Sequence, residues 1–220
     1  MFRQLIALAA ASLFCASVSA GNDASPWEKI VQKGDAIRTV TPVFGQLVAF
    51  TLPKGFVPAF EDAKDGNYIQ ESVLAGENVN KWSQMITLTG GKGLVSNSDL
   101  TPARFAGMLA DGFKRACPDS YSTLGPGSIK LSDPGFVAVV ASCGVANAPH
   151  SESTLIIVMK GKSDYYTLQW SERGAPSQTP IKLDQAKWQD RLKKLAPIKL
   201  CPIIPGEKEP YPSCITNTPA

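Results

Sequence analysis

The chemistry open to this chain is narrow because its reactive side chains are few. His150 is the single histidine, so a Ser-His-Asp or Cys-His hydrolase would have to use it as base. It stands in Ala148-Pro149-His150-Ser151-Glu152, a polar loop, and no G-x-S-x-G elsewhere supplies a nucleophile elbow. A catalytic centre needs a geometric set of groups, so His150 reads as an exposed loop side chain. Paired carboxylates about 5 to 10 Å apart can cleave glycosidic bonds, and Glu71 and Glu77 are the candidates for such a pair. Glu61, Asp62 and Asp65 cluster on a predicted hairpin. Without EF-hand spacing they read as a solvated turn and not as a calcium site. Gly90-Gly91-Lys92-Gly93 has the glycines of a phosphate loop but lacks the Ser or Thr that must follow its lysine. It reads as a turn ending a strand. No catalytic residue, metal site or cofactor is assigned.

The cysteines point to a compartment. Residues 1–20 have the form of a signal peptide: Arg3 as the positive start, an uncharged apolar run from Leu5 to Val18, and the small-residue site Val18-Ser19-Ala20. The run is shorter than the about 20 apolar residues that a spanning helix needs, so no stable membrane insertion is expected after cleavage. Cys15 follows Phe14, where a lipidated cysteine would follow a small residue, and belongs to the removed segment. Cys117, Cys143, Cys201 and Cys214 remain, an even number in an exported chain, which implies disulfides. Four cysteines allow three pairings. Cys117–Cys143 with Cys201–Cys214 is favoured: the first ties a helix end to a strand, and the second closes a proline-rich tail at a gain of roughly 3 kcal/mol. No C-x-x-C suggests a redox or zinc site.

The composition is that of an ordinary globular protein. The chain has 220 residues, a formal net charge of +3, 44% hydrophobic and 19% charged residues. This excludes low-complexity, collagenous and multispanning classes. The near-neutral balance and dispersed basic residues give no nucleic-acid footprint. Arg191, Lys193 and Lys194 form a small basic patch that reads as the solvated side of a helix.

The positioning elements follow from periodicity and turns. Residues 21–43 read as an N-terminal arm with a short helix from Pro26 to about Lys33, opened by Ser25 and Glu28 as a capping box. Strands are predicted at Gln46–Leu52, Phe56–Ala63, Tyr68–Leu74 and Trp82–Thr89. A helix begins at Thr101-Pro102 and carries Phe105, Met108, Leu109 and Phe113 at helical spacing. Further strands are predicted at Ser128–Leu131, Phe136–Cys143, Thr154–Lys160 and Tyr165–Ser171. Phe136–Cys143 is apolar throughout, which predicts a central strand buried on both faces. A last helix is capped by Asp184 and buries Trp188, Leu192 and Leu195. The tail 201–220 is rich in proline and reads as irregular. The order β-β-β-β-α-β-β-β-β-α, with strands in hairpins, implies an α+β fold over 44–200. In it an antiparallel sheet is flanked by helices as an α/β/α sandwich.

That order, with Phe50-Thr51-Leu52-Pro53-Lys54-Gly55-Phe56 and Glu77-Asn78-Val79-Asn80-Lys81-Trp82-Ser83-Gln84-Met85-Ile86-Thr87, resembles the Mog1/PsbP-like fold over about residues 44–196. The resemblance implies a binding or accessory role in a bacterial envelope and no reaction. Trp82, Trp170 and Trp188 lie in periodic elements and are expected to fill the core. Trp27, on the leading helix, is the candidate anchor for a protein partner. The expectation is a periplasmic or secreted, non-enzymatic binding protein. The alternatives are an envelope-polymer hydrolase using carboxylates and an inhibitor or immunity protein.

Overall fold

The computed structural model describes residues 36–145 and 149–216. Residues 1–20, the helix expected at 26–33 and Trp27 lie outside them. The described elements are β1 (Ala36–Val43), β2 (Gln46–Pro53), β3 (Phe56–Lys64), β4 (Asn67–Leu74), β5 (Gln84–Gly91), α1 (Pro102–Ala116), β6 (Tyr121–Leu124), β7 (Phe136–Cys143), β8 (Ser151–Lys160), β9 (Tyr165–Gly174), α2 (Gln185–Leu195), β10 (Lys199–Pro202) and a single helical turn, α3 (Pro212–Ile215). The fold is α+β with antiparallel sheets, as the element order implied.

The described strands form two sheets where one was expected. The larger has the order β3-β4-β5-β9-β8-β7-β6, the smaller β1-β2-β10. In the larger sheet two runs of neighbouring strands, β3-β4-β5 and β6-β7-β8-β9, join where β5 pairs with β9. The connection from β5 to β6 carries α1 over one face, where it packs on β7, β8 and β6. The opposite face is covered by α2 together with the smaller sheet. Thus one of the flanking layers is part helix and part sheet.

Burial explains the apolar runs. Ala138 and Val140 of β7 face the smaller sheet and α2, while Val139 and Ala141 face α1. In β8, Leu155, Ile157 and Met159 face the first side, Ile156 and Val158 the second. β7 is therefore buried on both faces but is the next-to-edge strand, not the central one. β2 behaves likewise: Val48, Phe50 and Leu52 enter the main core, and Leu47 and Ala49 meet Cys201 and Cys214 on the outside.

Both helices start and stop as their sequences dictate. The Thr101 side chain accepts the Arg104 N–H, Pro102 takes the first helical position, and Lys114 and Arg115 occupy the last turn. Asp184 accepts from the N–H groups of Ala186 and Lys187, satisfying donors a helix start leaves orphaned. Trp188, Leu192 and Leu195 are buried. Met108, expected on the apolar face of α1, is 54% exposed; Ala106 and Ala110 hold the buried line instead.

Four other segments depart from expectation. Ala36–Val43, read as arm, is a strand paired along its whole length with β2. Ser128–Leu131 is no strand. Ile129 is buried, but the Lys130 backbone is held by the Gln189 amide, which accepts its N–H at 2.9 Å and donates to its carbonyl at 3.0 Å. The paired strand lies earlier, at β6. Trp82 lies outside β5 and is half-buried under the Arg173 guanidinium, 3.7 Å from the ring centroid. The described part of the tail is tied to the fold: β10 adds to β2, and Glu207 accepts from Ser213 N–H and hydroxyl at 2.8 and 2.7 Å.

Both disulfides pair as favoured. Cys117–Cys143 joins the end of α1 to the end of β7, and Cys201–Cys214 closes the tail, each with Cα atoms 5.7 Å apart.

Candidate functional site

The chain crosses from the smaller sheet to the larger through Pro53-Lys54-Gly55, with Gly55 at φ 92°, a backbone conformation that favours glycine. The crossing leaves a recess of about 410 Å3 between the two sheets and α2. Its lining is apolar at Ala36, Pro53, Phe56, Leu74 and Trp170, carries an amide at Gln84, and is cationic at Lys54, Arg191 and Lys194.

Each of these side chains is fixed by an element already described. Trp170 sits on β9 pointing into the main core, only 2% exposed. Its indole N–H donates to the Gln84 side-chain oxygen at 3.1 Å, which supplies the partner that a buried indole requires. The Phe56 ring meets it edge-on, centroids 5.3 Å apart. Helical spacing puts Lys187, Arg191 and Lys194 on one flank of α2, beside the buried line of Trp188, Leu192 and Leu195. The Arg191 guanidinium lies over the Trp170 ring at 4.7 Å while its Nε donates to Glu172 at 2.7 Å. Lys187 pairs with the other oxygen of the same carboxylate. Lys194 pairs with Asp190 at 2.9 Å, and its hydrogen bond holds that carboxyl below the ordinary range.

The lining therefore offers cations, an amide and apolar surface. That set can bind and orient a ligand; it brings no nucleophile or general base to a reacting atom. Sequence reasoning took Arg191 and Lys194 for a solvated patch. Only the packing of α2 against Trp170 brings them to a recess.

The residues singled out from sequence have other surroundings. The Glu77 carboxylate accepts both the N–H and hydroxyl of Ser83, at 2.9 and 2.6 Å. Glu71 sits mid-strand in β4 opposite Thr87, so the two glutamates serve different places in the fold. Glu61 accepts the Tyr68 hydroxyl at 2.7 Å, and Asp62 the N–H of Ala63. Asp65 is in the β3–β4 turn at φ 50°. Among the described residues no three His, Cys, Asp or Glu side chains could hold a metal ion together. His150 is half-buried near Glu152. Burial raises the Glu152 carboxyl, opposed by the charges of Arg173 and His150.

The Gly90–Gly93 segment is structural. A Cβ on Gly90 would lie 2.7 Å from the Val43 side chain, and one on Gly91 2.5 Å from Leu94. The Gly93 N–H, which a phosphate loop would offer to its ligand, donates to Asp164 at 2.7 Å. Asp164 is 4% exposed and also accepts the Tyr166 hydroxyl at 3.3 Å. This knits the strand ends around Gly45, Gly91 and Gly161.

Glu71 provides a pH test of the sheet. Burial raises its carboxyl, so the folded chain favours the protonated form. The associated stability is present below the unfolded pKa of about 4.3 and is lost as pH rises through the folded value. Glu71→Gln is expected to raise Tm at pH 7 and to leave it nearly unchanged at pH 4. Thermal melts at the two pH values check this; an equal shift at both would refute it.

The chain matches no known family model and no curated protein. Among the described residues no helix is long and apolar enough to cross a membrane.

Proposed function

We propose that the chain is an exported, non-enzymatic binding or accessory protein of the bacterial cell envelope, periplasmic or secreted. The carrying observation is the recess, where Arg191 lies over the Trp170 ring with its Nε on Glu172, in a lining that also holds apolar side chains. Such a site is organised before any ligand arrives, which lowers the ordering cost of binding. Two disulfides suit an oxidising compartment, and residues 1–20 have the form of an export signal. The likeness of element order to the Mog1/PsbP-like fold supports an accessory role with a protein partner. Trp27 stays the candidate anchor for that partner.

The test is expression in a bacterial host with residues 1–220, followed by fractionation and affinity capture from envelope extract. The expected product starts at Gly21, has no free thiols and holds one stoichiometric partner protein, which a Trp27→Ala variant releases. Retention of the intact chain in the cytoplasm, or turnover of an envelope polymer by the pure protein, would overturn the reading.

A further inference from the structure

We infer that the free edge of β1 takes up an extended, lysine- or arginine-bearing segment of a partner protein as an added strand. The inference rests on the binding role proposed above and names the surface and the kind of segment that fits it. Its first support is the pairing of β1. The two-residue turn Phe44-Gly45 makes Val43 and Gln46 exchange backbone hydrogen bonds, and bonded positions then alternate along the hairpin. Ile37, Thr39 and Thr41 bond to β2. The backbone N–H and carbonyl groups of Arg38 and Val40 point away from it, as does the Pro42 carbonyl. Among the described residues these groups have no hydrogen-bond partner. β1 is also the least protected edge of the described strands. β3 carries Pro58, a register shift between Pro58 and Phe60, and the charges of Glu61, Asp62 and Lys64, devices that keep an edge from pairing. β6 and β10 are four residues long. β1 pairs over eight residues in unbroken register.

The second support is the groove along that edge. It has a volume of about 460 Å3 and is lined by residues 37–42, by Glu61, Gln70 and Ser72 of the larger sheet, and by Glu209, Tyr211 and Ile215 of the tail. Backbone bonds to such an edge supply affinity, and the side chains beside it supply specificity. Ile215, 39% exposed, offers apolar surface. The third support is charge. Glu61 and Glu209 are the carboxylates of the lining; both residues are exposed, and neither forms an ion pair among the described residues. The partner of Glu61 is the neutral Tyr68 hydroxyl. The one cation of the lining, Arg38, donates Nη1 to the Pro197 carbonyl and has Nη2 buried, so its guanidinium is turned into the protein. Two unanswered carboxylates beside an open strand edge select a cationic segment.

Amide hydrogen exchange, followed by NMR on the oxidised protein, residues 21–220, tests this. The probes are a blocked peptide of alternating lysine and valine, about seven residues long to span β1, and its glutamate-for-lysine counterpart. At saturation the lysine peptide is expected to slow exchange at the Arg38 and Val40 N–H groups by about tenfold or more, and to leave Thr39, already bonded to β2, unchanged. It is expected to bind at least about tenfold more tightly than the glutamate peptide at low ionic strength. Val40→Pro removes an edge donor without removing a bond to β2 and is expected to weaken the lysine peptide by about tenfold or more. Glu61→Gln/Glu209→Gln is expected to weaken it by a few-fold with Tm unchanged, which separates lost binding from lost folding. Binding without protection of Arg38 and Val40, or equal affinity for the glutamate peptide, would overturn the inference. So would a dimer in solution with those two amides already slow, because a second copy would then fill the edge. A stoichiometric partner that Val40→Pro still captures would overturn it too, leaving the proposed binding role intact. Protection by the lysine peptide without any captured partner would support it and reject the accessory role.

Discussion

Trp188→Ala is expected to lower stability by about 3–5 kcal/mol, and Tm by on the order of 10 °C for a domain of this size. The side chain is 1% exposed and packs in the main core with Leu192 and Leu195 of the same helix. It is the wedge by which α2 docks on the larger sheet beside β2. Lys193→Ala, on the exposed face of α2, is the control and is expected to stay within about 0.5 kcal/mol. Urea denaturation of both variants measures the contrast. Equal midpoints would mean that α2 contributes nothing to the global transition, and the recess would lose the element that carries Arg191 and Lys194.

The second large effect concerns the Cys117–Cys143 bridge. It closes 26 residues, for which chain entropy predicts a stabilisation of about 3.5 kcal/mol, against about 3 kcal/mol for the 13 residues closed by Cys201–Cys214. The Cys117→Ser/Cys143→Ser variant is expected to lose that amount in equilibrium denaturation under oxidising conditions. The variant of the other pair should lose slightly less, by freeing the tail beyond β10. A loss below about 1 kcal/mol in the first variant would show that α1 stays docked on β7 through Phe105, Leu109 and Phe113 alone. A larger loss for the tail bridge than for the α1 bridge would contradict the loop-length account of both.

Much of the larger sheet was legible because its signals are local. Asp184 as cap and Trp188, Leu192 and Leu195 at helical spacing define α2 within one stretch of chain. Asp65-Gly66 marks the β3–β4 hairpin, and the unbroken apolar run of β7 reports that both its faces are covered. In the smaller sheet only β2 had such a signal. β1, Ala-Ile-Arg-Thr-Val-Thr-Pro-Val, has no apolar run. Its hairpin turn is Phe44-Gly45, with Phe44 at φ 51°, where asparagine or aspartate is the usual marker. β10 is four residues long and enters a proline-rich tail. Its pairing with β2 joins Lys199 to Ala49, a relation no window of sequence contains. Residues 128–131 misled in the opposite sense: Ile129 and Leu131 alternate as in a strand, yet the backbone between them is satisfied by the amide of Gln189. The recess was invisible for the same reason as the smaller sheet. Its lining comes from Ala36 to Lys194, and no two neighbouring positions announce a site.

The placement of β10 has a consequence for how such a chain matures. The larger sheet is built wholly from residues 56–174, which can pair as the chain is made. β2 emerges earlier than all of them, yet one of its edges stays open until Lys199–Pro202 arrive. An open edge is a template for pairing with other chains, so the interval between the two events is the period of greatest aggregation risk. The final stretch, closed by Cys201–Cys214, acts as a latch on layers that are otherwise nearly finished. Chains terminated before residue 199 should accumulate as aggregates even though every strand of the larger sheet has already been made.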